Sequence, residues 1–224
     1  MEQPPGTAGD TPHPRVARAV DVPFGRVAEW IERYDRRHPG TTWTVVAPGI
    51  AATSPDGSSV TFTVPFGTPN LAAPADVVAH LQRPWRLGVI LVRRGGFAVA
   101  YVRGAEQIET KIGQRHVQGK TKAGGWSQQR FARRRDNQAR QAYEAAAGHA
   151  VRILDPVARE LDLLVLGGDK AGVRAVLEDP RLQALAGVPQ QWITDVADPR
   201  RSVLDDVIGR ARSVRVEVVD HQPR

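Results

Sequence analysis

The sequence contains no cysteine, and this absence removes several kinds of chemistry at once. Without a thiol, the chain has no disulfide bond, no thiolate nucleophile and no Cys-ligated zinc. No two of its six histidines lie three or four residues apart, so the paired-histidine spacing of many metal sites is missing as well. We therefore expect no metal site and no cofactor, and we expect the reducing cytoplasm as the location.

Long apolar runs are also missing. The longest of them, such as Gly88–Val92, are far too short to span a bilayer. Residues 1–14 have neither the basic region nor the apolar region of a signal peptide. They are rich in Pro, Gly and Thr, which predicts a disordered tail followed by one domain over residues 15–220. We therefore expect no membrane partner.

Acidic residues are scarce in one part of the chain. Residues 111–140 hold nine Lys and Arg but a single acid, Asp136, which gives these 30 residues a net charge of +8. Because the whole chain carries +7, all remaining residues together carry −1. An excess confined in this way indicates a surface for the phosphate backbone of nucleic acid. The alternative is an ordinary solvated helix face.

The hydrophobic pattern predicts an α/β protein, in which helices pack on a mixed β-sheet. The predicted strands are residues 41–47, 59–65, 85–92, 97–102, 105–117, 161–166, 191–196 and 214–219. The predicted helices are residues 23–38, residues 127–147, a segment after Lys170 that ends at Leu177, and residues 203–212. We expect a turn at residues 54–57 to join the first two strands, and a tight Gly-Gly hairpin to join the third and fourth.

The basic segment contains a pair of glycines before its predicted helix. Residues 120–140 read KTKAGGWSQQRFARRRDNQAR, with no proline to interrupt the helix. Gly124 and Gly125 permit positive φ angles and leave backbone N–H groups uncovered by side chains. This combination predicts a backbone that approaches a ligand closely, beside a surface that binds a polyanion.

The start of that helix is the predicted reactive region. With Ser127 as N-cap, the N–H groups of Gln128 and Gln129 fall in the first turn and have no intrahelical partner. Such groups can hold a phosphate or a developing oxyanion. One broad face of the helix is polar and suits a phosphate backbone; its residues are Arg130, Arg133, Arg134, Asn137 and Gln141.

A second glycine-containing turn spans residues 166–172. It lacks the Gly-Lys-Ser/Thr ending of a phosphate loop and the spacing of a dinucleotide-binding fingerprint. We interpret it as a tight turn between a buried strand and a helix. The alternative is that Asp169 and Lys170 form an accessory surface near a substrate.

The motif Gly124-Gly125-Trp126-Ser127-Gln128 resembles that of the Vms-like release factors, and most of all their actinobacterial branch. These peptidyl-tRNA hydrolases are related to the catalytic domain of eukaryotic and archaeal class-one release factors. The resemblance covers residues 15–220, with the specific motif inside residues 118–138, and residues 15–80 are a candidate family-specific extension. It implies an α/β fold of the release-factor type.

The resemblance also implies a reaction and a site. In the wider superfamily, a Gly-Gly-Gln or Gly-x-x-Gln loop enters the peptidyl-transferase centre of the large ribosomal subunit, where the glutamine orients water toward the peptidyl-tRNA ester. The catalytic group implied here is Gly124 and Gly125 with Gln128, and Gln129 as the second choice. The residues expected to contact ribosomal RNA or the tRNA acceptor stem are Lys120, Lys122, Trp126, Arg130, Arg133, Arg134 and Asn137.

Two alternatives remain open. One is cleavage of tRNA near its 3′ end, which shortens the tRNA, whereas ester hydrolysis leaves its terminus intact. The other is a non-catalytic module that binds RNA or the ribosome, in which Gln128 has no chemical role.

Neutralising Arg133 and Arg134 together tests the basic surface. We expect the Arg133→Gln, Arg134→Gln double variant to bind large ribosomal subunits more weakly, with a flatter dependence of affinity on salt, because fewer counterions are released. Affinity measured across a salt series checks this expectation. An affinity equal to the parent's at every salt concentration would contradict it.

Overall fold

A computed structural model describes the backbone of residues 16–67, 70–114 and 125–220, and the side chains of these residues other than 16 and 125–138. The chain divides into two compact units. The first unit comprises Met1–Val22, Arg26–Val78 and Val214–Arg224, and the second comprises Pro23–Gly25 and Ala79–Ser213. Each unit is built on its own five-stranded sheet.

The sheet of the first unit has the strand order β1-β10-β4-β3-β2. Its strands are β1 (Val16–Pro23), β2 (Thr42–Val46), β3 (Gly49–Thr53), β4 (Ser59–Thr63) and β10 (Ser213–Asp220). The pairs β2–β3, β3–β4 and β4–β10 are antiparallel. A short 3₁₀ turn, Phe24–Arg26, leads into helix α1 (Val27–Arg37).

Aromatic side chains join α1 to this sheet. The Trp30 ring lies edge-on to Phe62 with centroids 5.2 Å apart, and it stacks on Tyr34 at 5.5 Å. At the end of the helix, His38 Nδ1 lies 2.6 Å from Asp56 Oδ2. This hydrogen bond is the main reason why the pKa of the Asp56 carboxyl is below its usual range.

The sheet of the second unit has the order β7-β6-β5-β8-β9. Its strands are β5 (Arg86–Arg93), β6 (Gly96–Arg103), β7 (Glu106–Gln114), β8 (Leu163–Gly168) and β9 (Gln190–Ile193). The remaining helices are α2 (Pro74–Leu81), α3 (Gly125–Leu154), α4 (Lys170–Leu177) and α5 (Arg201–Ala211), and 3₁₀ turns cover Asp155–Glu160 and Pro180–Gly187. The sheet is mixed, because β5–β6 and β6–β7 are antiparallel whereas β5–β8 and β8–β9 are parallel. The predicted α/β class is therefore confirmed.

The central strands of the second sheet are apolar on both faces, as buried strands are. In β5, every residue from Leu87 to Val92 is buried. The β5–β6 hairpin turns in two residues, Arg94 and Gly95, since Arg93 is paired with Gly96. The predicted tight hairpin is confirmed, but only the first glycine of the pair is in the turn, because Gly96 begins β6. Helices α3 and α4 cover one face of the sheet, where Ile90, Val92 and Val99 are in the buried core.

Several predicted boundaries in the N-terminal part are wrong. Strands β2 and β4 are not hairpin partners, because the unpredicted β3 lies between them and the turn at residues 54–57 joins β3 to β4. Pro23 ends strand β1 and does not open the helix. Strand β1 and helix α2 were not predicted, and β1 depends on pairing with a strand from the far end of the chain.

Three differences concern the rest of the chain. Helix α3 begins at Gly125, not Ser127, and continues to Leu154, not Ala147. Strand β10 forms as predicted but belongs to the sheet of the first unit. Strand β7 ends at Gln114, and residues 115–117 of its predicted range lie outside the described residues, as does the predicted tail at residues 1–14. The predicted domain over residues 15–220 and the separate role of residues 15–80 stay predictions.

Two helical glycines provide a matched test of packing. A Cβ at Gly148 of α3 meets no atom within 4 Å, whereas a Cβ at Gly172 of α4 comes within 2.7 Å of Tyr143 Cε1 and 2.8 Å of Val92 Cγ1. We expect Gly148→Ala to raise the free energy of unfolding by about 0.5–1 kcal/mol through helix propensity. We expect Gly172→Ala to lower it by about 1–3 kcal/mol through overpacking. Urea unfolding followed by circular dichroism measures both, and a change of the same sign in the two variants would contradict this packing.

Candidate functional site at the carboxyl edge of the second sheet

Strands β5, β7, β8 and β9 all end at one edge of the second sheet, which we call the carboxyl edge. Strand β8 is parallel to both β5 and β9, and β7 runs in the direction of β5 because both are antiparallel to β6. Gln114, the last residue of β7, is paired with Gly96 beside the β5–β6 turn. The chain therefore leaves β7 toward residues 115–124 at this edge. In open α/β sheets, the carboxyl ends of the strands are the common place for ligands.

A cleft of about 410 Å³ opens at the carboxyl edge. Its lining residues are Arg93, Arg94, Gly168, Asp169 and Asp198. Gly168 has a φ of +98°, and a Cβ there would lie 2.2 Å from the Val92 carbonyl oxygen. Only glycine fits this close turn, because a side chain would collide with the neighbouring strand.

The two arginines of the cleft differ in their partners. Arg93 donates from Nη1 to the Val196 carbonyl oxygen at 2.6 Å, and its Nε lies 3.3 Å from Asp198 Oδ1. Arg94 is exposed and has neither a hydrogen bond nor an ion pair within the described part of the chain. Its guanidinium is therefore the cationic group of the cleft that remains available to an anion.

Asp169 links the cleft to two helices. Its Oδ1 accepts a hydrogen bond from the backbone N–H of Ala171 at 3.0 Å, which caps the N-terminus of α4. Its Oδ2 accepts from the Tyr143 hydroxyl of α3 at 3.2 Å. Burial and, secondarily, the Asp169 charge raise the pKa of Tyr143, so the hydroxyl remains protonated at neutral pH. The interpretation of residues 166–172 as a strand-to-helix turn is confirmed.

Helix α3 runs from the carboxyl edge toward the opposite end of the sheet. Tyr143 lies at the carboxyl edge, whereas Arg152 forms an ion pair with Glu109 in the middle of β7, and Leu154 lies near Gly88 at the start of β5. The 18 helical residues before Tyr143 amount to about 27 Å of helix. The part of α3 that precedes the carboxyl edge therefore contains the arginine-rich sequence.

The predicted site residues have the following places. Lys120, Lys122 and Gly124 lie outside the described residues. The other predicted site residues lie in helix α3, where the structure describes their backbone, and their side chains lie outside the described part. These residues are Gly125, Trp126, Gln128, Gln129, Arg130, Arg133, Arg134 and Asn137.

The predicted helix cap is wrong. With α3 starting at Gly125, Ser127 is the third residue of the helix and not its N-cap. Gln128 and Gln129 therefore lie inside the helix, after three earlier residues that the structure already describes as helical. Among the described residues, Gly125, Trp126 and Ser127 are the first of the helix, and the N–H groups of the first helical residues commonly lack intrahelical partners.

Sequence reasoning did not identify Arg94 or Tyr143 as site residues. The Arg93-Arg94 pair before the two glycines was a usable signal, because a charged hairpin turn at a sheet edge is exposed. Tyr143 gave no such signal, since its contact with Asp169 joins residues 26 positions apart.

In the ranges 16–67, 70–114 and 125–220, no three His, Asp or Glu side chains are grouped so that they could hold a metal ion. Within the same ranges, no helix combines the length and the apolar character needed to cross a bilayer.

Comparison with solved structures finds similar proteins of low sequence identity. The chain is 11% identical to a structure described as the Vms1 mitochondrial localization core, with a TM-score of 0.49 over 90% of this chain and 82% of that one. It is also 11% identical to the archaeal translation termination factor aRF1, with a TM-score of 0.33 over 83% of this chain and 63% of that one. A comparison with curated proteins finds no match.

A family model gives a more specific result. The model for the Actinobacteria/chloroflexi VLRF1 release factor matches residues 85–217, which is more than half of the chain. The matched part includes the carboxyl edge, helix α3 and the glycine-glutamine motif, and it begins after residues 15–80. The predicted resemblance to Vms-like release factors is thereby confirmed, and the chain belongs to the Actinobacteria/chloroflexi VLRF1 release factor family.

Proposed function

We propose that this release-factor family member is a cytoplasmic peptidyl-tRNA hydrolase that frees nascent chains from stalled ribosomes or large ribosomal subunits. One observation carries the proposal. The family match spans the Gly124-Gly125-Trp126-Ser127-Gln128 motif, and from Gly125 onward the residues of this motif open a helix with an arginine-rich sequence. A glutamine at the start of a basic helix suits a reaction that takes place against RNA.

The reaction requires little from acidic or basic side chains. Water attacks the carbonyl carbon of the ester that joins the peptide to the tRNA, and the bond to the ribose 3′-oxygen breaks. The proton from water passes to that oxygen, so the products are a free peptide acid and a tRNA with an intact terminus. The protein contributes by orienting water and by donating hydrogen bonds to the developing oxyanion.

The proposed roles follow from this chemistry and from the corrected helix start. The side-chain amide of Gln128 orients the water, and Gln129 is the second candidate. The backbone N–H groups of Gly125, Trp126 and Ser127 are the proposed helix-end donors for a negatively charged oxygen, because the first N–H groups of a helix commonly lack intrahelical partners. Gly124 and Gly125 let the backbone approach the ester without a side chain in between.

The large ribosomal subunit is the proposed partner, with ribosomal RNA and the tRNA acceptor stem as the contacted surfaces. The segment with a net charge of +8 supports this assignment, because it holds the entire basic excess of the chain. The contacts are assigned to Lys120, Lys122, Trp126, Arg130, Arg133, Arg134 and Asn137. The exposed guanidinium of Arg94 is a further positive charge at the carboxyl edge, where the chain leaves β7 within the basic segment.

Replacing the two glutamines separately tests the chemistry. We expect Gln128→Ala to slow peptide release from peptidyl-tRNA on large subunits by about 10²-fold, because the oriented water is lost. We expect Gln129→Ala to slow it far less, and both variants to bind subunits like the parent. Single-turnover release, with the tRNA product sized on a gel, measures rate and product together.

The outcomes of this experiment separate the alternatives. A shortened tRNA identifies an endonuclease. Normal release by both variants overturns the glutamine mechanism. Binding without release by the parent identifies a non-catalytic ribosome-binding module.

Arg94 offers a test with a matched control. Arg103 is also exposed and has no ion pair in the described part of the chain, but it ends β6 at the opposite edge of the sheet. We expect Arg94→Gln to weaken subunit binding and to reduce the slope of log affinity against log salt by about 0.7–0.9, the loss of one phosphate contact. Arg103→Gln keeps the parent's slope if RNA lies at the carboxyl edge. Equal slopes for the two variants would remove Arg94 from the interface.

A further inference from the structure

The part of α3 that packs on the second sheet is lined mainly by alanine. Between Ala142 and Ala150, four alanines are at most 5% exposed; they are Ala142, Ala146, Ala147 and Ala150. Alanine allows close approach of helix and sheet but gives few contacts that resist tilting or sliding of the helix. Between Ala142 and Ala150 the larger side chains that pack are Tyr143 and His149, and Val151, Ile153 and Leu154 pack farther along, at the C-terminal end of the helix.

Tyr143 is the larger side chain nearest to the basic part of the helix, and it fits a defined site on α4. Its ring occupies the space left by Gly172, where a Cβ would lie 2.7 Å from Cε1 and 3.0 Å from Cζ. Its hydroxyl donates to Asp169 Oδ2. We call Gly172 and Asp169 the tyrosine socket.

Asp169 is itself held firmly. Its Oδ1 caps α4, and its backbone N–H donates to the Val92 carbonyl oxygen of β5 at 2.6 Å. The carboxylate that receives the Tyr143 hydroxyl is thus fixed to both the helix and the central sheet. Because the Tyr143 pKa is raised, the hydroxyl remains a donor throughout the neutral range. The second glycine-containing turn of the sequence therefore serves as an anchor for α3.

We propose that Tyr143 is a positioning residue whose seat in the tyrosine socket sets the angle at which α3 leaves the carboxyl edge, and so sets the location of Gln128 and Gln129. The catalytic part of this inference rests on the proposed function. Gln128 lies 15 positions before Tyr143, which is about 22 Å of helix, so a tilt of about 5° displaces it by about 2 Å. A displacement of that size is enough to disturb the orientation of a reacting water.

Tyr143→Phe tests the hydrogen bond while keeping the ring. We expect the maximal rate of peptide release to fall about tenfold, because the reaction depends on one precise geometry. We expect KM for the peptidyl-tRNA–subunit complex to change by less than about twofold, because binding is spread over many phosphate contacts. Tyr101→Phe is the matched control. Tyr101 packs on the same core, and its hydroxyl forms no hydrogen bond within the described part of the chain.

A distance measurement tests the positioning without relying on catalysis. Because the chain has no cysteine, Ala132→Cys on α3 and Glu106→Cys at the opposite end of the sheet give two unique sites for spin labels. Pulsed electron paramagnetic resonance measures the distance between the two labels. We expect a shifted or broadened distance distribution in Tyr143→Phe, and the same distribution as in the parent in Tyr101→Phe. Identical distributions in all three proteins would overturn the anchor.

The two measurements together distinguish the possible failures. If Tyr143→Phe releases peptide at the same rate as the parent, the positioning role is overturned. A parent that releases no peptide overturns the proposed hydrolase, while the distance measurement still decides whether the tyrosine socket sets the angle of α3. An equal loss of rate in Tyr143→Phe and Tyr101→Phe identifies a general loss of packing, which also overturns the inference.

Discussion

The parallel pairing of β5 with β8 is the constraint on which the second unit depends. Their register, from Leu87 opposite Leu163 to Val92 opposite Gly168, requires the chain to return from one end of the sheet to the other before β8 begins. Helix α3 makes that return, so its C-terminal part must lie on the sheet. The same requirement directs the carboxyl ends of β5, β7, β8 and β9 to one edge, which is where the basic segment starts.

Helix α3 therefore has two parts with different energetics. From Ala142 to Leu154 it is stabilised by burial against strands and α4. In the sequence before Ala142, Arg130, Arg133 and Arg134 stand at spacings of three and four residues, where like charges repel and lower helix stability. A polyanion would offset that repulsion. The proposed RNA partner is a polyanion of this kind, so binding it would also stabilise this part of the helix.

The sequence predicts those elements whose signal is local. The apolar run of β5, the Gly-Gly hairpin and the strand–turn–helix at residues 161–177 were all predicted, because periodicity and turn residues suffice for them. Strand β3, with the sequence GIAAT, was not, since two alanines give little strand preference and its place depends on pairing with β2 and β4. Strand β1 was missed because its partner, β10, comes from the far end of the chain.

The same distinction applies to the candidate site. A contiguous motif, Gly124 to Gln128, predicted the family. The start of the helix was two residues off, because Ser127 is a common cap residue but the chain becomes helical at Gly125. The contact between Tyr143 and Asp169 was beyond prediction, because it depends on how α3 and α4 lie together on the sheet.

The carboxylates of the carboxyl edge fit a mechanism that relies on orientation. Asp169 caps α4 and accepts the Tyr143 hydroxyl, while Asp198 pairs with Arg93. Each of these two carboxylates is thus engaged in a contact that holds a structural element. The proposed mechanism, in which a side-chain amide orients water, needs no change of protonation in the amide. The structural use of these two acids is therefore compatible with the proposed role of Gln128, which orients water and does not itself react.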